Sequence, residues 1–223
     1  YQVMPLTPEF DSQRTEILQK FFEQSPFLGW TELNLQNIST ELGYTARITV
    51  RAFPNGLRDL IDAHADLIDK HMLESAESFG LSELSIRKKI STLILLRIES
   101  VSSHRDAISR LIPLLSTPQY LPTGTRILYR TVDIMWRAAG DSSTDFNFYS
   151  KRSLLAGIYC STLLFWLTDH TKNYMETREF LDRRITNIMS LQKLKPKIRS
   201  YLPRLGASFS SFCNALSSLR RTG

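Results

Sequence analysis

Apolar residues recur at helical intervals from one end of this chain to the other, and no strand-like alternation competes with them. That pattern restricts the fold to an all-α helical bundle. Ile17, Phe21 and Phe22 mark a first amphipathic helix expected to end near Ser25-Pro26. Thr31 is the N-cap of a second helix carrying Leu35, Ile38 and Leu42, which Gly43 ends. A short third helix is expected over about 45–53, closed by Pro54-Asn55-Gly56. A long helix follows from about Leu57 to Glu77, with Leu60, His64, Leu67, Ile68 and Met72 on one side. Further helices are expected at about 83–101, 104–116, 123–139, 146–168 and 175–192, with connections short enough to keep neighbours antiparallel.

With 223 residues, of which 42% are hydrophobic and 22% charged, the chain is long enough to bury a proper core. The most apolar segment, Leu154 to Leu167, is interrupted by Ser161 and Thr162 and bounded by Lys151, Arg152 and Asp169. It falls short of the roughly 20 residues that a bilayer span needs, so a buried helix is expected there. Cys160 and Cys213 show no paired spacing, which predicts a reducing compartment. Opening on Tyr1, the sequence is expected to lack the start of its natural product.

The net charge of +6 is concentrated in one place. From Leu194 onward come Lys195, Lys197, Arg199, Arg204, Arg220 and Arg221, six cations with no Asp or Glu, which leaves 22 cations against 22 acids in the remainder. The stretch Thr31 to Asp59 reads as helix, glycine turn, short helix, Phe53-Pro54 closure and long helix. It resembles the helix-turn-helix of TetR-type repressors, in which the short second helix enters the major groove. Residues 1–56 nevertheless carry Glu9, Asp11, Glu16, Glu23, Glu32 and Glu41 against Arg14, Lys20, Arg47 and Arg51, a net of −2. Duplex binding draws most of its affinity from phosphate neutralisation, so the charge favours a helix-turn-helix retained for packing over one that reads DNA.

A second resemblance rests on Arg126 to Met189. Its block is Ala139-Gly140-Asp141-x-Ser143-Thr144-Asp145-Phe146-Asn147-x-Tyr149-x-x-Arg152, then Leu155-Ala156-Gly157-x-Tyr159 and Phe180-Leu181-x-x-Arg184-Ile185. This resembles the lipid-binding accessory family of ubiquinone (coenzyme Q) biosynthesis, and with the N-terminal segment and basic tail it extends over nearly the whole chain. The resemblance implies a TetR-like homodimer with an internal cavity for isoprenoid or phospholipid chains. It also implies a C-terminal amphipathic helix that docks on the membrane, and a di-iron ubiquinone-pathway hydroxylase as partner, which receives a quinone precursor. The implied location is peripheral, on the inner face of the energy-transducing membrane: the cytoplasmic side in a bacterium, the matrix side in a mitochondrion. Position 148 is Phe where the family favours Trp, so an aromatic wedge survives without an indole N–H.

The residues of that block admit two readings by themselves. Asp141, Ser142, Ser143 and Thr144 suit a helix N-terminus. Trp136, Phe146, Phe148 and Tyr149 crowding beside them also match the composition of an interface hot spot. Spacings of three, four and seven put Asp145, Phe148, Tyr149 and Arg152 on one face, which Asp133 and Met135 join if the preceding helix packs alongside. The resemblance assigns these six residues to hydroxylase docking.

Catalysis finds no support in the motifs. His64 and His71 lie seven apart near Asp62, Asp66 and Asp69, but neither Glu-x-x-His nor His-Glu-x-x-His occurs. Gly-x-Gly-x-x-Gly, the P-loop and Gly-x-Ser-x-Gly are also missing from the sequence. No catalytic residue, metal ligand or cofactor is therefore expected.

In the tail, Leu205, Phe209, Phe212, Leu216 and Leu219 form one helical stripe, with small polar residues between them and cations at both ends. That pattern predicts a helix lying in the membrane interface, and Pro196 and Pro203 separate it from the body. The expected organisation is a helix-turn-helix-like segment over 1–56, a lipid-binding and dimerising body over 57–193 and a membrane-docking tail over 194–223. Leu93, Ile94, Leu95, Leu96 and Ile98, and likewise Leu163 to Leu167, apolar around most of a helix, are permissive of a ligand chamber. The leading functional reading is a non-catalytic lipid-binding accessory protein; the alternative is a TetR-type regulator with an apolar effector.

Overall fold

The computed structural model describes residues 8–140 and 146–192. Among them the chain forms nine α-helices and no strand: α1 (Pro8–Leu28), α2 (Glu32–Glu41), α3 (Ala46–Ala52), α4 (Leu57–Ser78), α5 (Ile86–Glu99), α6 (Arg105–Leu115), α7 (Leu121–Ala138), α8 (Phe146–Thr168) and α9 (Met175–Gln192). The all-α expectation holds, and most helices fall where the periodicity puts them. Two ends differ. α1 runs through Ser25-Pro26 to Leu28, because the residue that stops it is Gly29 in the left-handed region at φ 75. α5 begins at Ile86 rather than near 83, because Gly80 and the 3-10 turn Leu81–Glu83 occupy the expected first turn.

The described residues group into two compact units. The first comprises, among the described residues, 8–74 and 99–127. Ile17, Leu18, Phe21 and Phe22 of α1 form the heart of its core. Trp30 packs on Phe21 and Phe22 at centroid distances of 5.2 and 5.5 Å and donates its indole N–H to the Ala107 carbonyl at 2.8 Å. His64 is buried and stacks on Phe22 at 3.8 Å, which makes it a core residue; His71 is exposed. Thr31 caps α2 by accepting from the Asn34 N–H at 3.2 Å, as its position predicts. The Glu32 carboxylate accepts from the Leu57 N–H at 2.9 Å, which closes the N-terminus of α4 with a side chain of α2. Gly56 is required at that joint: at φ 59, a Cβ there would lie 2.5 Å from the Glu32 carboxylate.

The second unit comprises, among the described residues, 75–98, 128–140 and 146–192. Leu93 and Ile94 of α5, Val132 and Met135 of α7, Leu155 and Trp166 of α8, and Leu181 of α9 are buried in it. Arg97 is buried as well; its guanidinium donates to the hydroxyls of Tyr159 and, at 3.2 Å, Thr131. α8 and α9 pack on each other, with Phe165 and Phe180 stacked 4.5 Å apart. No described helix is long and apolar enough to cross a membrane.

Candidate docking site

The site is built where the end of α7 meets the start of α8. Asp133, half-buried on α7, receives the Nε and Nη2 of Arg152 on α8, both at 2.6 Å to Oδ1. Its second oxygen receives the exposed Arg137 Nε at 2.8 Å. One carboxylate therefore sits between two guanidinium groups, and it fastens α8 to α7 through charge-assisted bonds. Next to this pair in sequence, the Lys151 ammonium stands over the Trp136 ring at 5.6 Å. Tyr149, one turn before Arg152, is 64% exposed.

The structure brings Asp133 and Arg152 together, as side-by-side packing of the two helices requires. It separates others. Met135 is 0% exposed and offers no side chain to a partner, since residues two apart on a helix point to nearly opposite sides and Asp133 holds the outer one. Arg152, 2% exposed, turns inward to Asp133, so it supports the surface instead of forming its rim. Asp145 and the Phe148 side chain lie outside the described residues, as do Leu205, Phe209, Phe212, Leu216 and Leu219. Sequence reasoning missed Arg137 and Lys151. The i,i+4 spacing from Asp133 to Arg137 was a readable signal, whereas nothing in the sequence marks the Lys151–Trp136 contact. Among the described residues, no group of three or more His, Cys, Asp or Glu is placed to hold a metal ion.

Residues 121–192, covering α7 to α9 and this whole site, match the family model for COQ9. The chain is 30% identical over 192 residues to the mitochondrial ubiquinone biosynthesis protein COQ9 of Rattus norvegicus, covering 82% of this chain and 61% of the rat protein. Over these residues the chain is similar to the COQ9 proteins. The probable ubiquinone biosynthesis protein coq9 of Dictyostelium discoideum is 28% identical over 191 residues, covering 83% of this chain and 62% of that protein. Human COQ9 reaches 35% over 91 residues, covering 41% of this chain and 29% of the human protein. The chain thus spans about three fifths of the length of the first two COQ9 relatives. In three dimensions it is similar to the TetR transcriptional regulator from Nitrosomonas europaea ATCC 19718, with a TM-score of 0.64 and 26% identity over 79% of this chain and 97% of that one. The TetR-like frame expected from Thr31 to Asp59 is the fold of the chain.

Proposed function

We propose that this COQ9 relative takes part in ubiquinone biosynthesis as a non-catalytic, lipid-binding accessory protein that docks on a membrane and presents a quinone precursor to the di-iron hydroxylase. The observation that carries the reading is the family match over residues 121–192, whose helices hold the exposed Tyr149 on a support tied by Asp133 and Arg152. An aromatic side chain on a stiff, charge-fastened base suits a binding hot spot. The body pairs as a homodimer through α8 and α9, where Leu163, Leu164, Phe165 and Leu167 remain only half-buried in one chain. The tail supplies membrane attachment on the inner face of the energy-transducing membrane, in keeping with relatives named as mitochondrial. Co-purification of the hydroxylase with the full chain, and its loss in Tyr149→Ala, tests the reading. Equal recovery of the hydroxylase with the variant contradicts the docking role of this surface.

The likeness to a solved TetR regulator favours a second reading, a DNA-binding regulator with an apolar effector. Opposing it are the net −2 of residues 1–56 and the placement of Glu32 on the N-terminus of α4, which puts a carboxylate where a helix would otherwise attract phosphate.

A further inference from the structure

The turn between α4 and α5 breaks the pattern of the second unit. Phe79 is 64% exposed and Ile86 53%, although Ile86 lies one turn before Ile90 on the stripe of α5 that is buried through Ile90, Leu93 and Ile94. The apolar face of α5 therefore runs past the packed core into solvent. Gly80, at φ 68, and the 3-10 turn Leu81–Glu83 reverse the chain between the two exposed side chains.

Three cations, Arg87, Lys88 and Lys89, follow directly in the first turn of α5, which holds no acidic residue. A helix N-terminus carries partial positive charge and is stabilised by acids, so three cations there oppose the helix in water. Against an anionic surface the same charges and the helix dipole act together. Glu77 and Glu83 are the acids of this stretch, and the cations outnumber them. The Arg87 guanidinium donates to the Asp182 carbonyl at 3.4 Å and to the Thr186 hydroxyl, which fixes the turn beside the middle of α9.

We infer that this turn is a second membrane-contact element: Phe79 and Ile86 enter the bilayer interface while Lys88 and Lys89 meet the phosphates of anionic lipids. The inference rests on the membrane docking proposed above but uses residues outside the tail. Its test is flotation of the full chain with phosphatidylcholine vesicles, with and without phosphatidylglycerol. The double variant Phe79→Ser/Ile86→Ser lowers partitioning into anionic vesicles at least about tenfold, since withdrawing even one bulky side chain from an apolar medium costs about 1.5 kcal/mol or more. Lys88→Gln lowers it about fivefold, since one cation near an anionic surface is worth about 1 kcal/mol, and this loss disappears at high salt. Both sites are exposed, so thermal midpoints stay at the wild-type value. Wild-type flotation by both variants overturns the inference and leaves attachment to the tail. Failure of the wild-type chain to float overturns the membrane reading itself. Variants that float normally but lose the hydroxylase show that the turn meets a protein and not a bilayer.

Discussion

Asp133 and Arg152 form a pair in which a half-buried carboxylate neutralises a guanidinium that is almost wholly withdrawn from solvent, at 2.6 Å from both Nε and Nη2. Arg137 reaches the same carboxylate from the surface side at 2.8 Å. The two arginines therefore contribute unequally, because desolvation makes the loss of a charge's partner costly only on the buried side.

Asp133→Ala should destabilise the fold by about 3 kcal/mol, since it deprives a buried guanidinium of its carboxylate. Arg137→Ala should cost less than about 1 kcal/mol, the usual worth of an exposed pair. Urea unfolding of the two variants measures the difference. Equal losses contradict the asymmetry.

Tyr149→Ala should weaken hydroxylase binding by about 2 kcal/mol or more, in the range of an aromatic hot spot. Its unfolding midpoint should stay at the wild-type value, because the side chain is exposed. Titration calorimetry with the purified hydroxylase, beside thermal unfolding, gives both quantities. Unfolding of the variant with unchanged affinity at matched concentration would sink the docking role.

Asp169 sets an acid limit on the stability of the second unit. Burial by itself raises the pKa of this carboxyl, but hydrogen bonds from the side chains and backbone of Thr171 and Thr177 outweigh it and hold the value at about 2. A carboxyl depressed below its unfolded value of 3.8 adds stability above that pH and loses it as pH falls through the folded value. The contribution, on the order of 2 kcal/mol, should fade between about pH 4 and pH 2. Asp169→Asn should flatten that decline in a pH series of denaturant unfolding. Identical acid slopes for the two proteins contradict the assignment.

The helix-turn-helix end should not bind duplex DNA with useful affinity. Its six carboxylates outnumber its four cations, and Glu32 closes the N-terminus of α4. An electrophoretic shift series against genomic fragments is the check, and nanomolar, salt-sensitive binding would promote the regulator reading.

Much of the frame was legible in the sequence because its signals are local. The Thr31 cap, the Gly43 and Gly56 turns and the spacing of Ile90, Leu93 and Ile94 each act within a turn or two of chain. The end of α1 lies beyond the expected Ser25-Pro26 because a proline in a last turn carries less weight than the left-handed Gly29 behind it. At the site, helical spacing identified Tyr149 and Arg152 as neighbours but could not tell that one faces solvent and the other the core. That choice is made by Asp133, nineteen residues away on another helix. Met135 shows the same limit: its neighbourhood in sequence suggested a surface that packing reserves for Asp133.

The proposed function requires the body of this protein to carry lipid for another protein's reaction. Native mass spectrometry of the full chain, purified without detergent from cells that make isoprenoid quinones, tests it most directly. The expected result is a dimer with added mass that is released on activation and matches phospholipid or an isoprenoid quinone precursor. A chain that appears only at its bare polypeptide mass, as monomer or dimer, under conditions that preserve lipid on a known lipid-binding protein, would contradict it.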